Sequence, residues 1–316
     1  MTSLRDAVAM IESARREEGL QLLRQIASSG DPNALFVLAN LVWSGTFVPQ
    51  DPVRGRQLFE YAASAGHGQA NLYVTNLLAN GVAGTRDWPM AVERLEAEGR
   101  KLHLRQRALD TIKAMNVDAQ GNPKTVPSPR VLSEEPYVRL LESLLSEAEC
   151  AYLIDVAEGL FEPSMVYDPS GKLVKDTIRT SEGAAFHWLI EDPVIHALNR
   201  RIAAVTATGF DQGEALQVLR YTPGQEYRPH FDYLEGADNP RPWTALVYLN
   251  EGYEGGATAF VRTDVEVRGK TGDVLVFRNN GADGLRDPLA QHAGLPVTAG
   301  VKLLATRWIR ERRWIP

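Results

Sequence analysis

The chain has 316 residues, of which 44% are hydrophobic and 23% charged, and a formal net charge of −6. That is the composition of a globular protein with room for two domains, and its acidic balance excludes a general electrostatic pull toward nucleic acid or an anionic membrane surface. A single cysteine, Cys150, excludes a disulfide framework. The N-terminal segment lacks the apolar core of a secretory signal, and no stretch reaches the roughly 18 apolar residues of a membrane span, so a cytoplasmic protein with no membrane partner is expected. Arg307, Arg310, Arg312 and Arg313 crowd the C-terminus and read as solvated charge.

The first hundred residues repeat with a period of 36. GLQLLRQIASSG (Gly19 to Gly30) returns as GRQLFEYAASAG (Gly55 to Gly66), and Ala34 and Leu41 recur as Ala70 and Leu77. Apolar residues at three- and four-residue spacing (Leu22, Leu23, Ile26; Leu35, Leu38, Leu41) predict two helices per unit. Glycines at 30, 45, 66 and 81 stand where those helices should end. A helical pair cannot bury its apolar face by itself, so the units are expected to stack as a short solenoid, with a degraded third copy around Asp87 to Gly99. The pattern resembles Sel-like helical repeats, relatives of the tetratricopeptide repeat. The resemblance implies that residues 1–115 recruit a protein partner; the alternative is that they serve only as packing.

KLHLRQRALDTIKAMNV reads as a closing helix, and residues 116–130, with one glycine and three prolines, as a linker. From residue 131 the pattern changes. Ser146 and Glu149 form a capping box for a helix over SEAECAYLIDVAEGL, and a second helix is expected over Pro193 to Thr206. Phe161 to Ser181, rich in Gly, Pro, Ser and charge, reads either as a lid or as a surface loop. From Ala215 onward come short strands (ALQVLRY, TALVYLN, ATAFV, DVLVF, KLLATRWI) separated by Gly, Asn, Asp and Pro, the mark of a sandwich or barrel-like β fold.

The segment RYTPGQEYRPHFD carries His230 and Asp232. On a strand, residues two apart face the same side, so both side chains can reach one point. His292 is a candidate third ligand. Two imidazoles and a carboxylate on one face leave positions open on a non-haem ferrous ion. His-x-Asp by itself is weak, since a surface histidine and a turn aspartate produce it too. Lys302 strengthens it: a lysine that opens an apolar strand is costly to bury unless it meets an anion.

Residues 131–316 resemble the catalytic domain of the prolyl 4-hydroxylase family. The match runs in order through VLSEEPYVRLLESLLSEAEC, IRTSEGAAF, RYTPGQEYRPHFD, RPWTALVYLNEGYEGGATAF, GDVLVF, HAGLPVTAGVK and TRWIRE. The resemblance implies an α+β chain in which the helical repeat solenoid precedes a double-stranded β-helix (jelly-roll) dioxygenase domain with flanking helices. It implies an iron(II)- and 2-oxoglutarate-dependent dioxygenase that uses dioxygen, with ascorbate as reductant, and converts 2-oxoglutarate to succinate and carbon dioxide. His230, Asp232 and His292 match the iron ligands. Lys302, Tyr221, Thr258 and Tyr248 match the 2-oxoglutarate pocket, although cross-strand packing accounts for Tyr248 equally well. Tyr227, Arg241 and Trp308 match contacts to a peptide or protein substrate, and Trp308 also reads as plain core. Arg310 departs from the family, where some members carry a substrate-facing histidine. A hydroxylase of a free amino acid or other small molecule, or a non-catalytic scaffold, is the alternative.

Overall fold

The computed structural model describes residues 3–167, 173–175 and 178–314, without the side chains of 165–167 and 173–175. It divides into two compact units. One runs from the N-terminus to Gln106 and takes in Trp188–Pro193; the other holds Arg107–His187 and the chain from Val194 onward.

The first unit is helical: α1 (Leu4–Ile11), α2 (Arg16–Ser28), α3 (Pro32–Ser44), α4 (Pro52–Ser64), α5 (Gly68–Asn80) and α6 (Trp88–Gly99), with α7 (His103–Ala114) crossing the division. The starts of α2, α4 and α6 fall at residues 16, 52 and 88, so the 36-residue period continues into the segment whose sequence reads as degraded. What persists there is the cap. Asp51 accepts from the Arg54 amide and Asp87 from the Met90 amide, each with a proline in the first turn, which satisfies amides that a helix start leaves open. Gly45 and Gly81 close α3 and α5 in the left-handed conformation that glycine adopts without penalty. Gly19 and Gly55 do different work. A Cβ on Gly19 would lie 2.6 Å from the Ile11 amide nitrogen, and one on Gly55 would lie 3.0 Å from the Cα of Trp43. The repeated glycines therefore let neighbouring helices approach backbone to backbone.

The second unit carries the sheets. Its strands are β1 (Arg130–Ser133), β2 (Val138–Leu141), β3 (Glu162–Pro163), β4 (Met165–Tyr167), β5 (Leu173–Lys175), β6 (Glu182–Phe186), β7 (Leu216–Tyr221), β8 (Tyr227–His230), β9 (Trp243–Tyr248), β10 (Glu254–Gly255), β11 (Thr258–Phe260), β12 (Glu266–Val267), β13 (Val274–Arg278), β14 (His292–Gly294), β15 (Val297–Ala299) and β16 (Lys302–Ile309). Helix α8 (Glu147–Ala157) begins at the expected Ser146–Glu149 capping box, and α9 spans Pro193–Thr206. A large sheet has the order β1-β2-β13-β9-β16-β7-β6-β3, and a small one the order β12-β11-β14-β8. Leu140, Leu246, Tyr248, Leu275, Phe277 and Leu304 of the large sheet pack with Phe260 and Val267 of the small one, so the core lies between the two. This is the layered antiparallel arrangement of a jelly roll. Strand β16 is buried along its whole length because β7 and β9 flank it, which explains its unbroken apolar run.

The centre of the expected Phe161–Ser181 lid lies outside the described residues; β4 and β5 pair antiparallel on either side of it. No helix among the described residues is long and apolar enough to cross a membrane.

Candidate active site

Strands β8 and β14 are neighbours, and their register sets His230 directly opposite His292. Opposed residues of an antiparallel pair share a face, and the two imidazole rings lie 4.3 Å apart. Each ring is anchored on the carbonyl two residues before it: His230 Nδ1 lies 2.8 Å from Arg228 O, and His292 Nδ1 lies 3.0 Å from Ala290 O. A carbonyl only accepts, so Nδ1 carries the proton and each Nε2 presents a lone pair. Both Nε2 atoms face Asp232, His230 at 3.6 Å from Oδ1 and His292 at 3.6 Å from Oδ2. One donor atom from each of the three residues lies within 4.8 Å of the others.

Strand alternation does not place Asp232, contrary to the sequence expectation, because β8 ends at His230. A tertiary bond holds the carboxylate instead: Thr244 Oγ1 on β9 donates to Asp232 Oδ2 at 2.7 Å. Burial opposes a charge there, yet the charge of nearby His292 and His230 when protonated, with the hydrogen bond from Thr244, holds the Asp232 carboxyl below the usual carboxylate range. Burial, and then His230 beside it, push His292 down to about 4. The donor set near neutral pH is thus an ionised carboxylate and an imidazole whose lone pair is free, joined by His230. That set suits a ferrous ion, with further positions left for other ligands.

The same cavity is lined by Tyr221, Thr258 and Lys302, with Leu219, Leu246 and Leu304 as apolar wall. Lys302 is 2% exposed. Its Nζ donates to the carbonyl of Gly256 at 2.7 Å, and among the described residues no carboxylate is bonded to it. Burial, followed by the positive charge of Arg268, pushes the amine down to about 8. A buried cation whose hydrogen-bond partner among the described residues is a neutral carbonyl is poorly compensated, and an anion entering the cavity would supply what is missing. Gly256 has φ +63°, and a Cβ there would press on Lys302 Cδ at 3.1 Å, so the turn that offers the carbonyl calls for glycine. Lys302 pairs across the sheet with Tyr221, whose ring centre lies 5.6 Å from Nζ.

The remaining expected residues separate into two groups. Tyr227 and Trp308 line the cavity. Tyr227 stacks on His230 with ring centres 3.4 Å apart, and the buried Trp308 Nε1 has no hydrogen-bond partner among the described residues. Tyr248 lies in the core, where its hydroxyl donates to Thr258 Oγ1 at 3.1 Å, so it reaches the cavity through Thr258 rather than directly. Arg241 does not itself line the cavity but stacks on Trp308, which does. Its Nη2 donates to Glu214 Oε2 at 2.8 Å, and its guanidinium stacks on Trp308 at 4.1 Å. Arg310 donates to the same Glu214 and to Asn239 O. Glu214, Thr244 and Gly256 were not legible as site residues. Only the spacing of Gly256 before TAF carried any signal, and the partners of the other two are set by strand register.

Residues 216–310 match the family described as the 2OG-Fe(II) oxygenase superfamily. The chain is 36% identical over 204 residues to prolyl 4-hydroxylase 1 of Arabidopsis thaliana, covering 58% of this chain and 72% of that protein. It is 33% identical over 211 residues to prolyl 4-hydroxylase subunit alpha-1 of Rattus norvegicus, covering 62% of this chain and 39% of that one. Among solved structures it is similar to the viral collagen prolyl hydroxylase of Paramecium Bursaria Chlorella virus-1 in its 2-oxoglutarate complex. The identity there is 29% and the TM-score 0.45, over 57% of this chain and 98% of that chain.

Proposed function

The chain belongs to the prolyl 4-hydroxylase family of 2-oxoglutarate- and iron(II)-dependent oxygenases, and from that premise we propose that it hydroxylates proline in a peptide or protein. The observation that carries this reading is the joining, in one cavity, of a His-Asp-His donor set with a buried lysine that has no carboxylate partner among the described residues.

On this reading His230, Asp232 and His292 hold ferrous iron, and Lys302 takes the far carboxylate of 2-oxoglutarate, with Tyr221 and Thr258 beside it. Iron and 2-oxoglutarate together supply the oxidising chemistry, with dioxygen consumed and succinate and carbon dioxide released. The chain's own residues do the rest. The carbonyls of Arg228 and Ala290 keep both Nε2 lone pairs aimed inward. Leu219, Leu246 and Leu304 keep water from the reacting atoms. Tyr227 lines the cavity beside His230, and the Trp308 indole N–H is a donor for a substrate carbonyl. Arg241 acts through Trp308, holding its ring.

We read residues 1–115 as a Sel-like repeat domain that recruits the protein substrate, residues 116–130 as a linker and residues 131–316 as the catalytic domain. A groove of about 750 Å³ between helices, lined by Leu35, Leu38, Val42, Leu58 and Tyr61 with Arg24 and Arg54 at its margin, supports the recruiting role.

The test is succinate formation by the full chain with iron(II), 2-oxoglutarate and ascorbate, with no substrate, with proline-rich peptides, or with free amino acids including proline. Stimulation by peptides that disappears in His230→Ala is the expected result. Stimulation by a free amino acid only would move the substrate to the small-molecule class and leave the repeats as packing.

A further inference from the structure

Behind the Asp232 carboxylate lies a short chain of hydrogen bonds. Thr244 Oγ1 donates to Asp232 Oδ2 at 2.7 Å, and Asn279 Nδ2 donates to Thr244 Oγ1 at 2.9 Å. All three side chains are closed to solvent: Thr244 is 0% exposed, Asn279 1% and Asp232 5%. The direction of the chain is determined at both ends. An ionised carboxylate only accepts, so the Thr244 hydroxyl proton must point to Asp232. The Asn279 amide group also donates to Arg241 O at 3.1 Å; turning it over would set its oxygen against that carbonyl, so its NH2 faces Thr244. The threonine oxygen then accepts from Asn279 while its proton goes to Asp232, and each bond strengthens the other.

The backbone under this chain is rigid. Thr244 lies on β9 between β13 and β16, opposite Phe277 and Trp308. Asn279 directly follows β13, with its amide on Pro242 O and its carbonyl taking the Asp287 amide. Asp232, by contrast, lies past the end of β8, where no ladder holds it.

We infer that Thr244 and Asn279 are positioning residues that hold the Asp232 carboxylate, through its Oδ2, in the orientation in which it meets the two histidine Nε2 atoms. A carboxylate free to rotate would offer its oxygens to an ion in no fixed direction. The inference rests on reading the triad as a metal centre and assigns to the two residues the hold that β8 does not provide.

The probe is cobalt(II), titrated anaerobically into the metal-free full chain and followed by its visible absorption, which reports both affinity and coordination number. Loss of a residue that orients a ligand weakens metal binding by about 10- to 100-fold. Thr244→Val keeps the shape and removes the hydroxyl. Its expected result is a loss of that size with an altered absorption band. Thr244→Ser restores both affinity and spectrum, and Asn279→Ala shows a smaller loss. Thr244→Ala takes the place of the valine variant should that one not fold. Unchanged cobalt affinity and spectrum in the folded valine or alanine variant would overturn the relay while leaving the metal centre standing. A loss that serine does not restore, accompanied by a lower metal-free urea midpoint, would reduce Thr244 to a packing role. No cobalt binding by the unmodified chain would remove the metal centre and the relay with it.

Discussion

Lys302 concentrates the physics of the site in one side chain. Its amine is buried against a carbonyl, and its pKa is pushed from 10.5 down to about 8. The folded chain therefore holds fewer protons than the unfolded one between those values, and stability rises with pH wherever the unfolded state binds more protons. The ligand-free protein should gain stability from pH 8 toward 10.5 through this group, with the desolvation penalty fully present below pH 8. Binding of 2-oxoglutarate should show the opposite trend. Only the protonated amine pairs with a carboxylate, so affinity measured by anaerobic fluorescence titration holds near pH 7 and falls above about pH 8. Lys302→Met separates the two effects. Removing one partner of a buried charge pair costs about 2–5 kcal/mol, so 2-oxoglutarate affinity should drop at least tenfold. The ligand-free urea midpoint should rise, because an uncompensated buried cation is gone. A midpoint that falls would mean that the carbonyl bond to Gly256 matters more than the desolvation of the charge.

At the scale of the element, the helices show that glycine carries different meanings within one helical region. Gly68 in α5 has nothing within 4 Å of a would-be Cβ, whereas Gly19 in α2 faces the Ile11 nitrogen at 2.6 Å and the Ala7 carbonyl at 2.7 Å. Alanine is the better helix former by about 1 kcal/mol. Gly68→Ala should therefore be neutral or stabilising. Gly19→Ala should lose about 1–3 kcal/mol through overpacking despite the same propensity gain. Urea unfolding followed by helical circular dichroism reads both, and equal shifts in the two variants would refute the close-approach account. The 36-residue period was legible because it is local: caps, apolar spacing and small residues lie within a few turns of one another. In the third unit the apolar identities drift, while Asp87 repeats the cap of Asp51. A cap needs one side-chain oxygen at one place, and that demand outlasts looser packing preferences.

Over the whole molecule, a site that binds only the folded chain is linked to folding. A ligand at 100 times its dissociation constant adds about 2.7 kcal/mol. Cobalt(II) with 2-oxoglutarate should raise the thermal midpoint of the catalytic unit, a chelator should reverse the shift, and His292→Ala should abolish it. A ligand-induced shift of full size in His292→Ala would mean that the stabilising site lies elsewhere. The chain's sequence by itself determined the N-terminal helical region, the strand succession and the order His230, Asp232, His292, Lys302, because caps, apolar periodicity and motif spacing are written within short windows. Only the tertiary structure decided how these parts meet. The β8–β14 register set the two histidines face to face, and Thr244 on another strand placed an aspartate that strand alternation could not. Glu214 on a separate segment holds Arg241 against Trp308, a pairing that motif spacing does not reveal. The physical reason is the same in each case. Hydrogen bonds between distant segments depend on strand register and on which burial competes best for each polar group, and neither is encoded in spacing along the chain.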